Sequence, residues 1–301
     1  MTINVINSTI QSAIDTPQRF IVKTTTSRDG TTLGYRQIGH GPAVVLVHGS
    51  MSSGQNHTQL AEALANSFTV CLLDRRGRGL SGPYQEDHHI GNDVEDLEAI
   101  LNETGAQCVF GVSFGAIVGL QAALTLSSIP KLAIYEPPLF LSKTIPTAFV
   151  RRFDQEMAQG KVAAALTTAM LGAQLGPKVL SLMPRLLAER LTTMMMAGED
   201  KQAKEGDVTF RTMAPSLHYE GQIIAEKSGA LDSFAPIGTD VLLLGGSQSP
   251  SYMKLALNAL ADILPQAKRI TFSGLGHSAT WNTNRGGKPG PVAQALHAFF
   301  S

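Results

Sequence analysis

Ser113 stands in the run Gly111-Val112-Ser113-Phe114-Gly115, between an apolar stretch at 107–110 and a small-residue stretch at 116–126. A strand, a Gly-x-Ser-x-Gly turn and a helix together lift a serine hydroxyl to the end of a sheet, where it can attack an electrophile. The flanking glycines matter because such a turn is too tight for side chains beside the serine. A serine hydroxyl is a weak nucleophile at neutral pH and needs a base within hydrogen-bond reach. Of the eight histidines, His277 alone lies in a glycine-flanked loop, Gly274-Leu275-Gly276-His277, directly after the last strand-like run. His48 precedes Gly49 in a tight turn and reads as a backbone-bonding residue. His88, His89 and His218 read as solvated surface.

These residues need a frame. Residues 20–26 and 31–38, joined across Arg28-Asp29-Gly30, read as a β-hairpin. Short continuous apolar runs at 43–47, 68–73, 107–110, 132–135 and 241–244 read as strands buried on both faces, with 270–272 a weaker last strand. Helical patterns fall between them at 59–65, 91–103, 116–126, 253–263 and 292–300, the second carrying Val94, Leu97, Ile100 and Leu101 on one face. Alternation of strand and helix implies a mostly parallel sheet covered on both sides.

The segment 141–226 breaks the alternation. It has no strand pattern but three helical stretches, at 148–159, 162–171 and 179–196, and it holds Met157, Met170, Met183, Met194, Met195, Met196 and Met213. A helical insertion there would lie over the active edge of the sheet as a lid, with methionines shaping an adaptable apolar pocket. The expected organisation is an N-terminal extension at 1–18, an α/β core at 19–140 and 227–301, and a cap at 141–226.

Composition narrows the function. In 301 residues, 24 Lys and Arg balance 24 Asp and Glu, so no basic excess points to nucleic acid or an anionic membrane. With 43% hydrophobic residues the chain can bury a large core. Its two cysteines, Cys71 and Cys108, fall in predicted strands and read as small buried hydrophobes. No apolar run reaches the length of a membrane span, and residues 1–18 lack a signal-peptide core. The expectation is a soluble, cytoplasmic protein acting on a small molecule that is not highly charged and, given the apolar lid, rather hydrophobic.

Taken in order, His48-Gly49-Ser50 after the third strand, Asp74-Arg75-Arg76-Gly77-Arg78-Gly79 after the fourth, the Ser113 turn after the fifth and Gly274-Leu275-Gly276-His277 after the eighth resemble the α/β-hydrolase superfamily. The resemblance runs from about Phe20 to Phe300. It implies an eight-stranded, mostly parallel sheet with helices on both faces and a helical lid. It also implies Ser113 as nucleophile, His277 as base, and the backbone N–H groups of Phe114 and Ser50 as the oxyanion hole. No metal or organic cofactor is implied. The arginines of residues 74–79 read as solvent-facing or paired with Asp74.

The third member of a serine triad departs from the common pattern. After the seventh strand the chain reads Gly245-Gly246-Ser247-Gln248-Ser249-Pro250, with no acid, and Asp240 begins that strand at its far end. Some members of the superfamily carry the acid after the sixth strand, where this chain has Glu136. An acid at either place can fix the histidine tautomer and stabilise the imidazolium. The resemblance therefore implies a serine hydrolase for an ester, thioester, lactone or similarly activated carbonyl. A lyase, cyclase or acyltransferase on the same fold, a dyad assisted by Ser247 or Ser249, and a small-molecule receptor remain open alternatives.

Overall fold

Along the central strands, neighbouring residues face opposite sides, and the burial pattern follows that period of two. Val45, Val47, Cys71, Leu73, Val109, Leu132, Ile134, Val241 and Leu243 belong to one core cluster. Val44, Leu46, Val70, Leu72, Cys108, Phe110, Val112, Ala133, Tyr135, Leu242 and Leu244 belong to the other. Both faces are apolar, which is why these runs are continuous rather than alternating in sequence. Cys71 and Cys108 are free and buried, as their strand positions imply.

The computed structural model describes residues 19–175, 182–204 and 207–301. The expected extension at 1–18 and residues 179–181 of the expected third insertion helix lie outside the described residues. The strands are β1 (Ile21–Thr26), β2 (Thr32–Gly39), β3 (Ala43–Val47), β4 (Thr69–Leu73), β5 (Cys108–Val112), β6 (Lys131–Tyr135), β7 (Asp240–Gly246) and β8 (Lys268–Phe272). They form one eight-stranded sheet in the order β1-β2-β4-β3-β5-β6-β7-β8. β1 and β2 pair antiparallel, as does β2 with β4, and every pair from β4 through β8 is parallel.

The helices that connect the strands are α1 (Thr58–Leu64), α2 (Ile90–Thr104) and α3 (Phe114–Thr125). Between β6 and β7 come α4 (Thr144–Ala158), α5 (Val162–Gly172), α6 (Arg185–Gln202), α7 (Phe210–Met213) and α8 (Ser216–Lys227), followed after β7 and β8 by α9 (Ser251–Ile263) and α10 (Pro289–Phe300). Leu97, Ile100, Ile117, Leu120, Leu257 and Leu260 place α2, α3 and α9 on one face of the sheet. Leu60, Leu64, Val292 and Leu296 place α1 and α10 on the other. The α/β sheet with helices on both faces is the architecture the sequence implies.

The helical excursion between β6 and β7 differs in detail from expectation. Its last helices, α7 and α8, have no counterpart in the periodicity reading, because their buried residues are mixed: Ser216, Glu220, Gly221 and Ile223 face inward on α8. Among the described residues, no helix is long and apolar enough to cross a membrane.

The order of strands sets where a ligand can sit. From β3 the chain moves outward to β4 on one side, then crosses to β5 on the other. At that reversal the loops after β3 and β5 part and leave a crevice beyond the carboxyl ends of the strands. Val47 pairs with Gly111, Val112 with Tyr135, and Tyr135 with Leu244, so β3, β5, β6 and β7 end side by side.

Candidate active site

Each candidate residue follows directly from one of those strand ends. Ser113 comes immediately after β5 and precedes α3, with φ 54° and ψ −118°. A non-glycine residue in that region is strained, and Gly115 shows how the turn is held. A Cβ on Gly115 would run into the carbonyl oxygen of Val47 on the neighbouring strand, so only glycine lets α3 start this close to β3. The Ser113 N–H donates to the Tyr135 carbonyl at 2.8 Å, pinning the turn to β6.

Glu136 follows β6 with φ 48°, again left-handed and non-glycine. It is fully buried, and both carboxylate oxygens are used. Oε1 accepts from the Gly246 N–H at 2.6 Å, and Oε2 lies 2.8 Å from His277 Nδ1. His277 Nε2 lies 3.1 Å from Ser113 Oγ. Because a carboxylate only accepts, Nδ1 carries the proton and Nε2 is left as an acceptor for the serine hydroxyl. The loop carrying His277 is tied to the sheet by the Tyr135 hydroxyl, which donates to the Gly276 carbonyl at 2.8 Å.

Among the described residues, four non-glycine residues have positive φ: Met51, Ser113, Glu136 and Gln174. Three of them, Met51, Ser113 and Gln174, line one cavity, and the fourth holds His277. Strain of this kind persists only where surrounding structure over-determines it, and it gathers at functional sites.

The turn after β3 brings Ser50 to the same place. Ser50 and Ser113 both line the cavity, and a Cβ on Gly49 would lie 2.7 Å from that of Ser113. His48 is buried and holds this turn, as its sequence context implies. Its Nε2 accepts from the Arg75 N–H at 3.0 Å, and its Nδ1 donates to the Gly49 carbonyl at 2.8 Å. Burial, with the charges of Arg78 and Arg75, pushes the His48 imidazole well below its ordinary range, so it stays neutral. Among the described residues, the N–H groups of Ser50 and Phe114 have no hydrogen-bond acceptor. Phe114 is also the first residue of α3, where helix geometry leaves N–H groups free and the dipole favours an anion.

The cavity measures about 700 Å³, in the range of small-molecule sites. Ser113 and His277 are at its wall, and Phe140, Phe149, Phe153, Leu166, Met170 and Trp281 make it largely apolar. Of the methionines expected to shape it, Met170 and Met195 do so. Met196 and Met213 are buried in helix packing, and Met194 is 70% exposed.

Two expectations about polar residues need correction. Arg75, Arg76 and Arg78 are buried, and Asp74 pairs with Arg36 instead. Arg75 reaches Asp93 and Glu220, Arg76 reaches Asp96 and Asp29, and Arg78 reaches Glu220. His88 is buried too, with Nε2 2.8 Å from Asp93 Oδ2. Burial raises the Asp93 carboxyl, but the Arg75 charge and the His88 hydrogen bond outweigh it and bring it down to about 2. Glu220, which pairs with Arg75 and Arg78, lies more than 140 residues along the chain, and no local pattern announces it. His89 caps α2 by accepting from the Gly91 N–H, and His218 is a half-exposed partner of Asp154.

Comparison with known proteins gives the family and the fold. Residues 44–287 match the model of the alpha/beta hydrolase family. A solved alpha/beta hydrolase from Sphaerobacter thermophilus is 30% identical and superposes with a TM-score of 0.74, over 93% of this chain and all of that one. A thermophilic esterase from Thermogutta terrifontis, at 19% identity and a TM-score of 0.69, shares the fold over 94% of this chain and 98% of its own. The pimeloyl-[acyl-carrier protein] methyl ester esterase of Xanthomonas campestris pv. campestris is 28% identical over 87% of this chain and 96% of its own. With a family match over most of its length and a strand order that builds its site at the sheet's switch point, this chain belongs to the alpha/beta hydrolase family.

Proposed function

We propose that the chain is a serine hydrolase that cleaves an ester, thioester, lactone or similarly activated carbonyl of a hydrophobic small molecule through an acyl-enzyme. The observation that carries the reading is the relay from Ser113 Oγ to His277 Nε2 at 3.1 Å and from His277 Nδ1 to Glu136 Oε2 at 2.8 Å, set in the wall of an apolar cavity.

In this reading Ser113 Oγ attacks the carbonyl carbon as His277 Nε2 takes its proton. Glu136 stays ionised, holds the Nδ1–H tautomer and stabilises the imidazolium that forms. Negative charge on the carbonyl oxygen is met by the N–H groups of Phe114 and Ser50. His277 then returns the proton to the leaving alcohol or thiol. Water, deprotonated by the same imidazole, releases the acid and restores Ser113. The excursion at 141–226 acts as the lid: its apolar side chains close over the carbonyl and exclude bulk water. Glu136, which follows β6, supports the hydrolytic reading, since it offers His277 the acid that the loop after β7 lacks. The esterase activity of the Xanthomonas relative is consistent with ester hydrolysis.

The test uses a fluorophosphonate probe and a chromogenic acyl ester, with wild type and Ser113→Ala side by side. Wild type should be labelled on Ser113 and turn over the ester, with one oxygen of labelled water entering the acid product. Ser113→Ala should lose the label and about 10⁴-fold or more in turnover. Label on another serine, or hydrolysis retained in the variant, overturns the assignment.

A further inference from the structure

A group of buried charged side chains lies behind the turn that carries Ser50, and the proposed reaction does not use it. Arg75 Nη1 donates to Glu220 Oε1 at 2.5 Å and Nη2 to Asp93 Oδ1 at 3.0 Å. Arg78 Nη2 donates to the same Glu220 oxygen at 2.6 Å and to Ser216 Oγ at 2.6 Å. All four charged side chains are at most 2% exposed. Taking such groups out of water costs several kcal/mol per ion, and apolar packing could hold a helix to a core without that cost. What the group touches suggests why it is there.

Arg75 and Glu220 between them contact both residues proposed to supply the oxyanion donors. The Arg75 guanidinium stands over the Phe114 ring, 4.2 Å from its centre. Burial raises the Glu220 carboxyl, but Arg78 and Arg75, with the neighbouring Ser50 hydroxyl adding to them, outweigh it and hold it below its ordinary range. Among the described residues, the buried Glu220 Oε2 has no hydrogen-bond partner, so this oxygen is free on the side of the turn. The backbone of Arg75 supports the turn as well, through its N–H to His48 Nε2 at 3.0 Å. The next residue, Met51, has φ 49° and packs with Leu166, Met196 and Ala214 of the helical excursion. The turn is therefore strained, and side chains of the excursion pack against it.

We propose that Glu220, on α8 of the excursion, is a positioning residue for the oxyanion hole. It faces the Ser50 hydroxyl and, through Arg75, braces both His48 in the same turn and the Phe114 ring, so that seating the helical lid and forming the hole are one event. The inference rests on the serine-hydrolase reading above. A lid that shifts away withdraws Glu220 and relaxes the Ser50 turn, and the nucleophile is then left without its anion site. A donor mis-set by a fraction of an ångström loses much of its worth in the transition state and little in the ground state.

The experiment is a double-mutant cycle on the full chain with Glu220→Gln and Ser50→Ala, using the chromogenic ester and thermal melting. Ser50→Ala keeps the backbone N–H and all four charges. It should fold like wild type and lose about 10-fold in kcat, with KM within about 2-fold. Glu220→Gln should lose about 10- to 100-fold in kcat with KM equally little changed. The double variant should be no slower than the slower single variant by more than about 2-fold, because both changes release the same turn. Losses that multiply in the double variant overturn the proposal, as does a Glu220→Gln enzyme that melts lower and binds ester worse at unchanged kcat. If Glu220→Gln does not fold, Ser50→Ala decides alone, and an unchanged kcat there overturns the proposal. A wild type without Ser113-dependent turnover overturns the hydrolase reading and this inference together, whereas an active wild type with multiplying losses overturns the inference only.

Discussion

Glu136 binds His277 with one carboxylate oxygen and the backbone of β7 with the other: Oε2 to His277 Nδ1 at 2.8 Å, Oε1 from the Gly246 N–H at 2.6 Å. The proposed acid thus comes from the end of β6 and is braced by the last residue of β7. Glu136→Gln separates its two tasks. The amide oxygen still accepts from Gly246, while the amide N–H₂ now faces the Nδ1–H and forces the other tautomer. Turnover should fall by up to about 10⁴-fold with a melting temperature within a few degrees of wild type. A variant that is destabilised yet nearly as fast would mean that Ser113 and His277 act as a pair.

Glycine substitutions read the nucleophile turn against a neutral position. A Cβ at Gly115 meets the Val47 carbonyl oxygen, a rigid backbone atom of the central sheet. Gly115→Ala should move Ser113 or α3, costing most of the activity and a few kcal/mol of stability. Gly198, inside α6, has nothing within 4 Å of where a Cβ would go. Gly198→Ala should raise stability by up to about 1 kcal/mol at unchanged kcat, from helix propensity alone. Thermal melts and kcat measured on both variants check the contrast.

His57 makes stability depend on pH on the acid side. It is fully buried between Ser52 Oγ and the Thr280 carbonyl, which accepts from Nδ1 at 3.0 Å. Burial, partly opposed by that hydrogen bond, pushes its imidazole from 6.5 down to about 4. Below about 6.5 the unfolded chain takes up a proton that the folded chain refuses, so stability present above that pH is lost as pH falls toward 4. At pH 5 the loss from this one group is on the order of 2 kcal/mol. His48, also held below its ordinary range by burial, acts in the same direction. Denaturant melts at pH 7.5 and 5 should show the loss, and His57→Gln should make it smaller. An equal loss in that variant would place the titrating group elsewhere.

What the sequence could announce was whatever is local or carried by order along the chain. Ser113 is marked by its flanking glycines, and His277 by its loop after the last strand. Glu136 follows from the absence of an acid between Gly245 and Pro250. The strands were legible because both faces are buried, which makes them continuous apolar runs. The buried ion pairs were not legible. Arg75 and Glu220 are 145 residues apart, and three arginines in a run with two glycines read equally well as a solvated turn. Helix α8 was missed for the same reason, since its inward face carries Ser216 and Glu220, whose partners come from the β4 loop. His88 read as surface because the acid that pairs with it, Asp93, sits within an otherwise polar stretch.

The shape of the cavity predicts selectivity for the acyl chain. Phe149, Phe153, Leu166 and Met170 extend the apolar wall away from Ser113 into the helical excursion, within a volume of about 700 Å³. Each methylene that moves from water into such a wall contributes about 0.8 kcal/mol, roughly fourfold in kcat/KM. A series of unbranched acyl esters should therefore gain in kcat/KM with each added carbon until the cavity is full, and then level or fall. Leu166 is buried at this wall and packs with Met196 and Ala214. Leu166→Trp fills part of the space and should move the optimum to shorter acids, leaving the shortest esters close to wild-type rates. The measurement is kcat/KM across the series for both proteins. A flat wild-type profile would mean that the acyl chain does not enter this cavity, and an optimum unmoved in Leu166→Trp would place it along another wall.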